Sequence, residues 1–206
     1  MKLTDILTEG KNHPSIVVDV QPEYAQYAGH AAEDTCNNII QFVNDQTGPV
    51  LMFVNAEDQG ASRDTVQDIK IYWEEHGFNP EGWDRVKIVD KGFGYFRSWM
   101  DQGVDPSAII KVIRAMYQQK TSDSGELFKG DESPTYEEDM TQLLGSEFKD
   151  WMVSDPISVG WTSVAQLKKF GGAYLVGGGR DECLREVELL MNAFNIGYRR
   201  IDSLVY

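Results

Sequence analysis

The chain has few means of cross-linking itself. Its two cysteines, Cys36 and Cys183, stand far apart in a sequence of 206 residues. This excludes a disulfide framework and leaves a reducing, cytoplasmic setting as the expectation. Histidine is also scarce: the three present, His13, His30 and His76, offer little to a zinc site. Positive charge is in short supply, with 19 Lys and Arg against 33 Asp and Glu and a formal net charge of −14. A surface so acidic repels nucleic-acid backbone and anionic lipid, so neither is an expected partner. The basic cluster Lys168, Lys169, Arg199 and Arg200 reads as part of a mixed, solvated face. No apolar run approaches the ~20 residues needed to span a bilayer. The opening MKLTDILTEGKNHPS lacks the apolar stretch and small-residue cleavage site of a secretory signal.

What is present is a regular alternation of short apolar runs and amphipathic stretches. Ser15–Val20 (SIVVDV), Val50–Val54 (VLMFV), Arg85–Val89 (RVKIV), Ala173–Val176 (AYLV) and Tyr198–Val205 read as strands. Helices are predicted over about 31–45, 62–76 (capped by Ser62), 106–118, 158–169 and 181–195. Thr135 and Glu138 form a capping box for one more helix, running to about Met152. The polar stretch 120–134, with Gly and Ser throughout, reads as the most mobile part. Strands alternating with helices predict a mainly parallel sheet covered on both faces, in one domain with a helical insertion at about 104–154. Ligands bind such sheets beyond the carboxyl ends of the strands. The polar residues there are Asp19, Asn55, Glu57, Lys91 and the Gly177–Cys183 turn.

Cys183 follows a strand and the turn Gly177-Gly178-Gly179, in the first turn of the next helix. Unpaired N–H groups and the helix dipole favour negative charge there, so a lowered thiol pKa is expected. The glycines leave main-chain N–H groups available as an oxyanion hole, yet a small buried residue packing helix on sheet would look the same. Cys36 lies mid-helix on the stripe of Ile39, Ile40 and Val43 and reads as core. Asp19 ends an apolar strand, where an unpartnered acid is costly; it faces a crevice or caps a neighbouring turn. Lys91 ends the third strand and leads into an aromatic run, Phe93, Tyr95 and Phe96, fit for a pocket wall or for core.

Taken together, IVVDVQPEY, VDKGFGYF, LVGGGRDECL and NIGYRRIDSLVY resemble, in order and slot, segments of the isochorismatase-like cysteine hydrolases, which include the nicotinamidases. The resemblance covers about residues 14–100 and 155–206. It implies a Rossmann-like, three-layer α/β/α fold with strand order 3-2-1-4-5. It also implies an amidase triad: Cys183 as nucleophile, Asp19 as base and Lys91 holding the pair in its charged arrangement. Main-chain N–H groups of Gly179 and Cys183 would hold the oxyanion, and Tyr24, Gly178, Phe93, Tyr95 and Phe96 would line the pocket. A small-molecule substrate and a homo-oligomer are further implications. Nicotinamidases carry an Asp-x-His metal site after the second strand; here Asn55-Ala56-Glu57-Asp58 holds no histidine. No metal and no cofactor is therefore expected. A non-catalytic binder of small anions or metabolites stands as the alternative, since a glycine turn opening a helix is an anion site with or without a cysteine. A redox-sensing thiol is weaker, for want of a resolving partner.

Overall fold

The computed structural model describes residues 11–27, 30–55, 64–91, 93–94, 96–118, 138, 141–142, 158–159 and 161–206. The principal strands are β1 (Ser15–Val18), β2 (Val50–Val54), β3 (Val86–Asp90), β4 (Ala173–Gly177) and β5 (Tyr198–Val205). The helices, in chain order, are α1 (Pro22–Tyr27), α2 (His30–Asp45), α3 (Val66–Glu75), α4 (Phe96–Asp101), α5 (Pro106–Gln118), α6 (Trp161–Leu167) and α7 (Cys183–Ala193). All five strands pair in parallel in the order 3-2-1-4-5. A parallel sheet of this order flanked by helices is the arrangement of a three-layer α/β/α fold.

The chain divides into two compact units. The first comprises Met1–Lys91, Phe170–Leu184 and Gly197–Tyr206 and carries the whole five-stranded sheet. The second comprises Gly92–Lys169 and Arg185–Ile196. Within the second, Phe93–Gly94 pairs antiparallel with Ser158–Val159, and the Arg114 guanidinium donates to the Ala193 carbonyl (2.6 Å).

The three central strands β1, β2 and β4 read as unbroken apolar runs because both of their faces are buried. On one face Val17, Met52, Val54, Tyr174 and Val176 pack with Cys36, Ile39, Ile40 and Val43 of α2 and with Ile69 and Trp73 of α3. Each such aliphatic side chain contributes roughly 1.5–3 kcal/mol when fully buried. Trp73 keeps its polar edge satisfied by donating Nε1–H to the Val20 carbonyl (2.9 Å). The last turn of α2 has no basic residue of its own. Arg85, from the 3-10 turn Pro80–Arg85, donates instead to the Val43 carbonyl (2.6 Å) and the Gly48 carbonyl (3.0 Å).

Several predicted boundaries move. The helix expected over 62–76 is described over Val66–Glu75, where Thr65 and Asp68 form a reciprocal capping box; Ser62 lies outside the described residues. The helix expected over 158–169 is a two-residue strand followed by α6. The last helix begins at Cys183 itself. Helix α1 and the short antiparallel pair were not foreseen. The polar stretch 120–134 and nearly all of the helix expected to reach Met152 lie outside the described residues.

Gly177 ends β4 opposite Val18 with φ +129°, and a Cβ there would stand 2.1 Å from the Val18 carbonyl oxygen. Gly177→Ala should therefore cost roughly 3–5 kcal/mol from combined backbone strain and overpacking. Urea unfolding measures this directly; a loss below about 1 kcal/mol would mean that β1 and β4 part easily there.

Candidate active site

Three side chains meet at the carboxyl ends of the strands. Asp19 follows β1 directly and has φ 54°, the left-handed region that aspartate tolerates better than most residues. Its N–H donates to the Phe53 carbonyl (2.9 Å), and its carbonyl accepts from Gln21 N–H (3.1 Å) and Tyr206 O–H (2.7 Å). This reversal of the backbone takes the residue out of the strand's alternation and leaves its side chain 3% exposed.

Lys91 follows β3, and its N–H extends the ladder by donating to the Val54 carbonyl (2.8 Å). β2 lies between β3 and β1, so the two chain ends are roughly 10 Å apart across two strand spacings. The long lysine stem spans that gap and places Nζ 3.8 Å from Asp19 Oδ2, with the lysine side chain 8% exposed.

Cys183 is the first residue of α7 and is partly buried. The turn before it is tightly constrained. Gly178 N–H donates to Val18 (2.8 Å), Glu182 N–H to Gly179 (2.8 Å) and Leu184 N–H to Gly178 and Gly179 (3.2 and 3.1 Å). The N–H groups of Gly179 and Cys183 do not take part in this set. Gly179 has φ +68°, and a Cβ there would lie 2.8 Å from Cys183 N.

The electrostatics correct one expectation. Burial pushes the Cys183 thiol up to about 12, and the Asp19 charge adds to the rise; Lys91 opposes both but does not win. The lowered thiol pKa expected at a helix N-terminus is therefore not what the packed site gives: burial and the Asp19 charge raise it instead. Asp19 is also raised, by burial first, while Lys91 and the Cys183 thiol pull the other way. Among the described residues neither Asp19 oxygen has a hydrogen bond of ordinary geometry. Lys91 Nζ is the cation set against both acids, drawing the Asp19 carboxyl and the Cys183 thiol downward while burial draws both upward.

A cavity of about 450 Å³ opens over this group. Asp19 and Cys183 line it with Tyr24, Gly178, Gly179 and Tyr206, and the run 180–182 forms the remaining wall. Of the residues expected to line a pocket, Tyr24 and Gly178 line this cavity. Tyr24 accepts from Asn55 Nδ2 (2.7 Å). Tyr95 and the side chains of Phe93 and Phe96 lie outside the described residues. Cys36 is fully buried in the core, its thiol likewise pushed up to about 12 by burial.

Two residues escaped the sequence reading. Gln21, fully buried, clamps the end of β1 to that of β2: it accepts from Asn55 N–H (3.1 Å), and its Nε2 donates to the Asn55 carbonyl (3.3 Å) and Asp64 (3.1 Å). Its one signal is a glutamine directly after a buried strand. Tyr206 gave no local signal at all. Residues 56–58 lie outside the described residues. Among the described ones no three His, Cys, Asp or Glu side chains cluster so as to hold a metal ion, and no helix is long and apolar enough to cross a membrane.

The buried pair sets a stability expectation. Lys91→Met leaves Asp19 without its cation and should cost about 3–5 kcal/mol at pH 8. Asp19 has a raised pKa in the folded state, so stability is greatest below its unfolded value and falls as pH rises through the folded one. The deficit should accordingly shrink on going from pH 8 to pH 5. Asp19→Asn combined with Lys91→Met removes both charges and should match or exceed the native stability, by up to about 4 kcal/mol. Urea titrations at the two pH values check all three statements. Neither a family model, nor a curated protein, nor a solved structure matches the chain.

Proposed function

We propose that the chain is a cysteine hydrolase of the isochorismatase-like kind, cleaving the C–N bond of a small amide. The observation that supports this reading best is the convergence of the Asp19 carboxylate and the Lys91 ammonium upon the Cys183 thiol at the wall of a cavity. Asp19 takes the thiol proton, and Cys183 Sγ attacks the amide carbonyl carbon. Lys91 offsets the negative charge that then moves from carboxylate to sulfur. The N–H groups of Gly179 and Cys183 are the donors for the oxyanion. The proton on Asp19 passes to the nitrogen as the C–N bond breaks, leaving a thioester. Water, activated by Asp19, then releases the carboxylic acid and restores the thiol. This sequence draws on protein groups alone. Two free thiols fit a reducing, cytoplasmic compartment, and a homo-oligomer completes the proposal.

A raised thiol suits such a cycle when substrate binding and proton transfer are coupled, so that the thiolate forms only in the presence of its target. The same raised pKa is what favours the second reading, a small-molecule binder with an inert thiol.

Asp19→Asn separates the two. Removing the carboxylate lowers the Cys183 pKa, so iodoacetamide should label Cys183 faster at pH 8, roughly tenfold for each pH unit by which that pKa falls. Hydrolysis of a panel of small primary amides should fall at the same time, by about 10²-fold or more, because the base is gone. Cys183→Ala should abolish turnover. Undiminished turnover in Cys183→Ala would overturn the nucleophile assignment, and a native protein inert across the panel would favour the binder.

A further inference from the structure

Tyr206 stands in the cavity wall beside Asp19 and Cys183, yet the chemistry above does not use it. We propose that Tyr206 is the positioning residue of this site: its hydroxyl holds the main chain of Asp19 in the left-handed turn that aims the carboxylate at Lys91 and Cys183. The proposal rests on the hydrolase reading only for its consequence in turnover; the aiming itself is tested without any substrate.

Three independent features carry it. First, Tyr206 O–H donates to the Asp19 carbonyl at 2.7 Å, a contact between residues 187 positions apart. Among the described residues, Asp19 and Asn195 are the non-glycine ones at positive φ, and such a conformation persists only where surrounding contacts over-determine it. Second, the sheet is distorted so as to deliver Tyr206. Ala173 pairs with Tyr198 and Leu175 with Arg200, so an unbroken register would set Asp202 opposite Gly177; Val205 stands there instead. This irregularity puts Tyr206 N–H on the Gly177 carbonyl (3.3 Å). Arg180 braces it from the turn, with its N–H on the Tyr206 main-chain oxygen (2.9 Å) and its guanidinium on the carbonyls of Asp202 (3.2 Å) and Val205 (3.1 Å). Third, the ring is seated where Gly178 has no side chain: a Cβ on Gly178 would lie 2.1 Å from the Tyr206 ring. Burial pushes the phenol pKa up, so the hydroxyl stays protonated and remains a donor at every pH of interest.

Asp19, Lys91, Tyr24 and Tyr206 are the titratable groups that face Cys183, with Asp181 and Glu182 in the cavity wall. Among them Asp19 is the one whose charge raises the thiol most. A carboxylate no longer aimed at the sulfur should let the thiol pKa fall.

The experiment is Tyr206→Phe, which removes the hydroxyl and keeps the ring, read by the pH dependence of iodoacetamide labelling at Cys183. The expected result is a downward shift of about one pH unit, equivalent to roughly tenfold faster labelling at pH 8. Tyr206→Phe added to Asp19→Asn should shift the profile no further than Asp19→Asn alone, because the hydroxyl acts through the carboxylate. Gly178→Ala, which displaces the ring, should move the profile in the same direction as Tyr206→Phe and serves if the latter folds poorly. On any amide the native protein turns over, Tyr206→Phe should lower kcat about tenfold and leave KM within about twofold. An unchanged labelling profile in folded Tyr206→Phe overturns the proposal. So does an effect of equal size in the Asp19→Asn background, which would assign it to a direct action of Tyr206 on the thiol. The labelling shifts without turnover in any variant would instead uphold the aiming and defeat the hydrolase reading.

Discussion

A carboxylate and an ammonium buried side by side, Asp19 and Lys91, are the constraint around which this site is organised. Either charge alone would be expensive at that depth, and together they offset desolvation only when held in close geometry. Much of the surrounding architecture supplies that geometry. β1 ends in a left-handed residue, β3 runs one residue further along the ladder to Lys91 N–H, and Gln21 fastens β1 to β2 between them. Among the described residues neither Asp19 oxygen has an ordinary hydrogen-bond partner, so burial of this carboxyl costs stability that the Lys91 contact only partly offsets.

The thiol is governed by the same pair. A cysteine at a helix N-terminus is commonly expected to ionise readily. Here the partly buried sulfur faces an acid as well as a cation, and removal of water from around it is the largest influence, raising its pKa. Asp19 and Cys183 each shift the other, and Lys91 lowers both. All three residues belong to the first compact unit, as do the cavity residues that face them.

Much of this was legible along the chain. The apolar runs of β1, β2 and β4 showed themselves because strands buried on both faces need apolar side chains at every position. The parallel arrangement followed from the alternation of elements, while the order 3-2-1-4-5 was implied by the family resemblance and not by any pattern in the chain. Asp19, Lys91 and Cys183 stood out as polar residues at the ends of such strands. Helix ends were less legible: Ser62 and Thr65 are both good caps by residue type, and the reciprocal bond with Asp68 is found at Thr65. The stretch near 158 carried no periodicity strong enough to separate a two-residue strand from the start of a helix.

Hydrophobic periodicity is a local property of the chain, so the alternating strands and helices, and with them the residues able to reach the carboxyl edge of the sheet, can be read directly from the residues. Tertiary structure alone decided what those residues became. The protonation of Cys183 depends on burial and on charges brought from residues 19 and 91, and no local pattern encodes either. The place of Tyr206 depends on a register irregularity between β4 and β5, and its hydrogen bond joins the site to a residue 187 positions away. Desolvation and long-range register are properties of the packed molecule rather than of any segment of the chain.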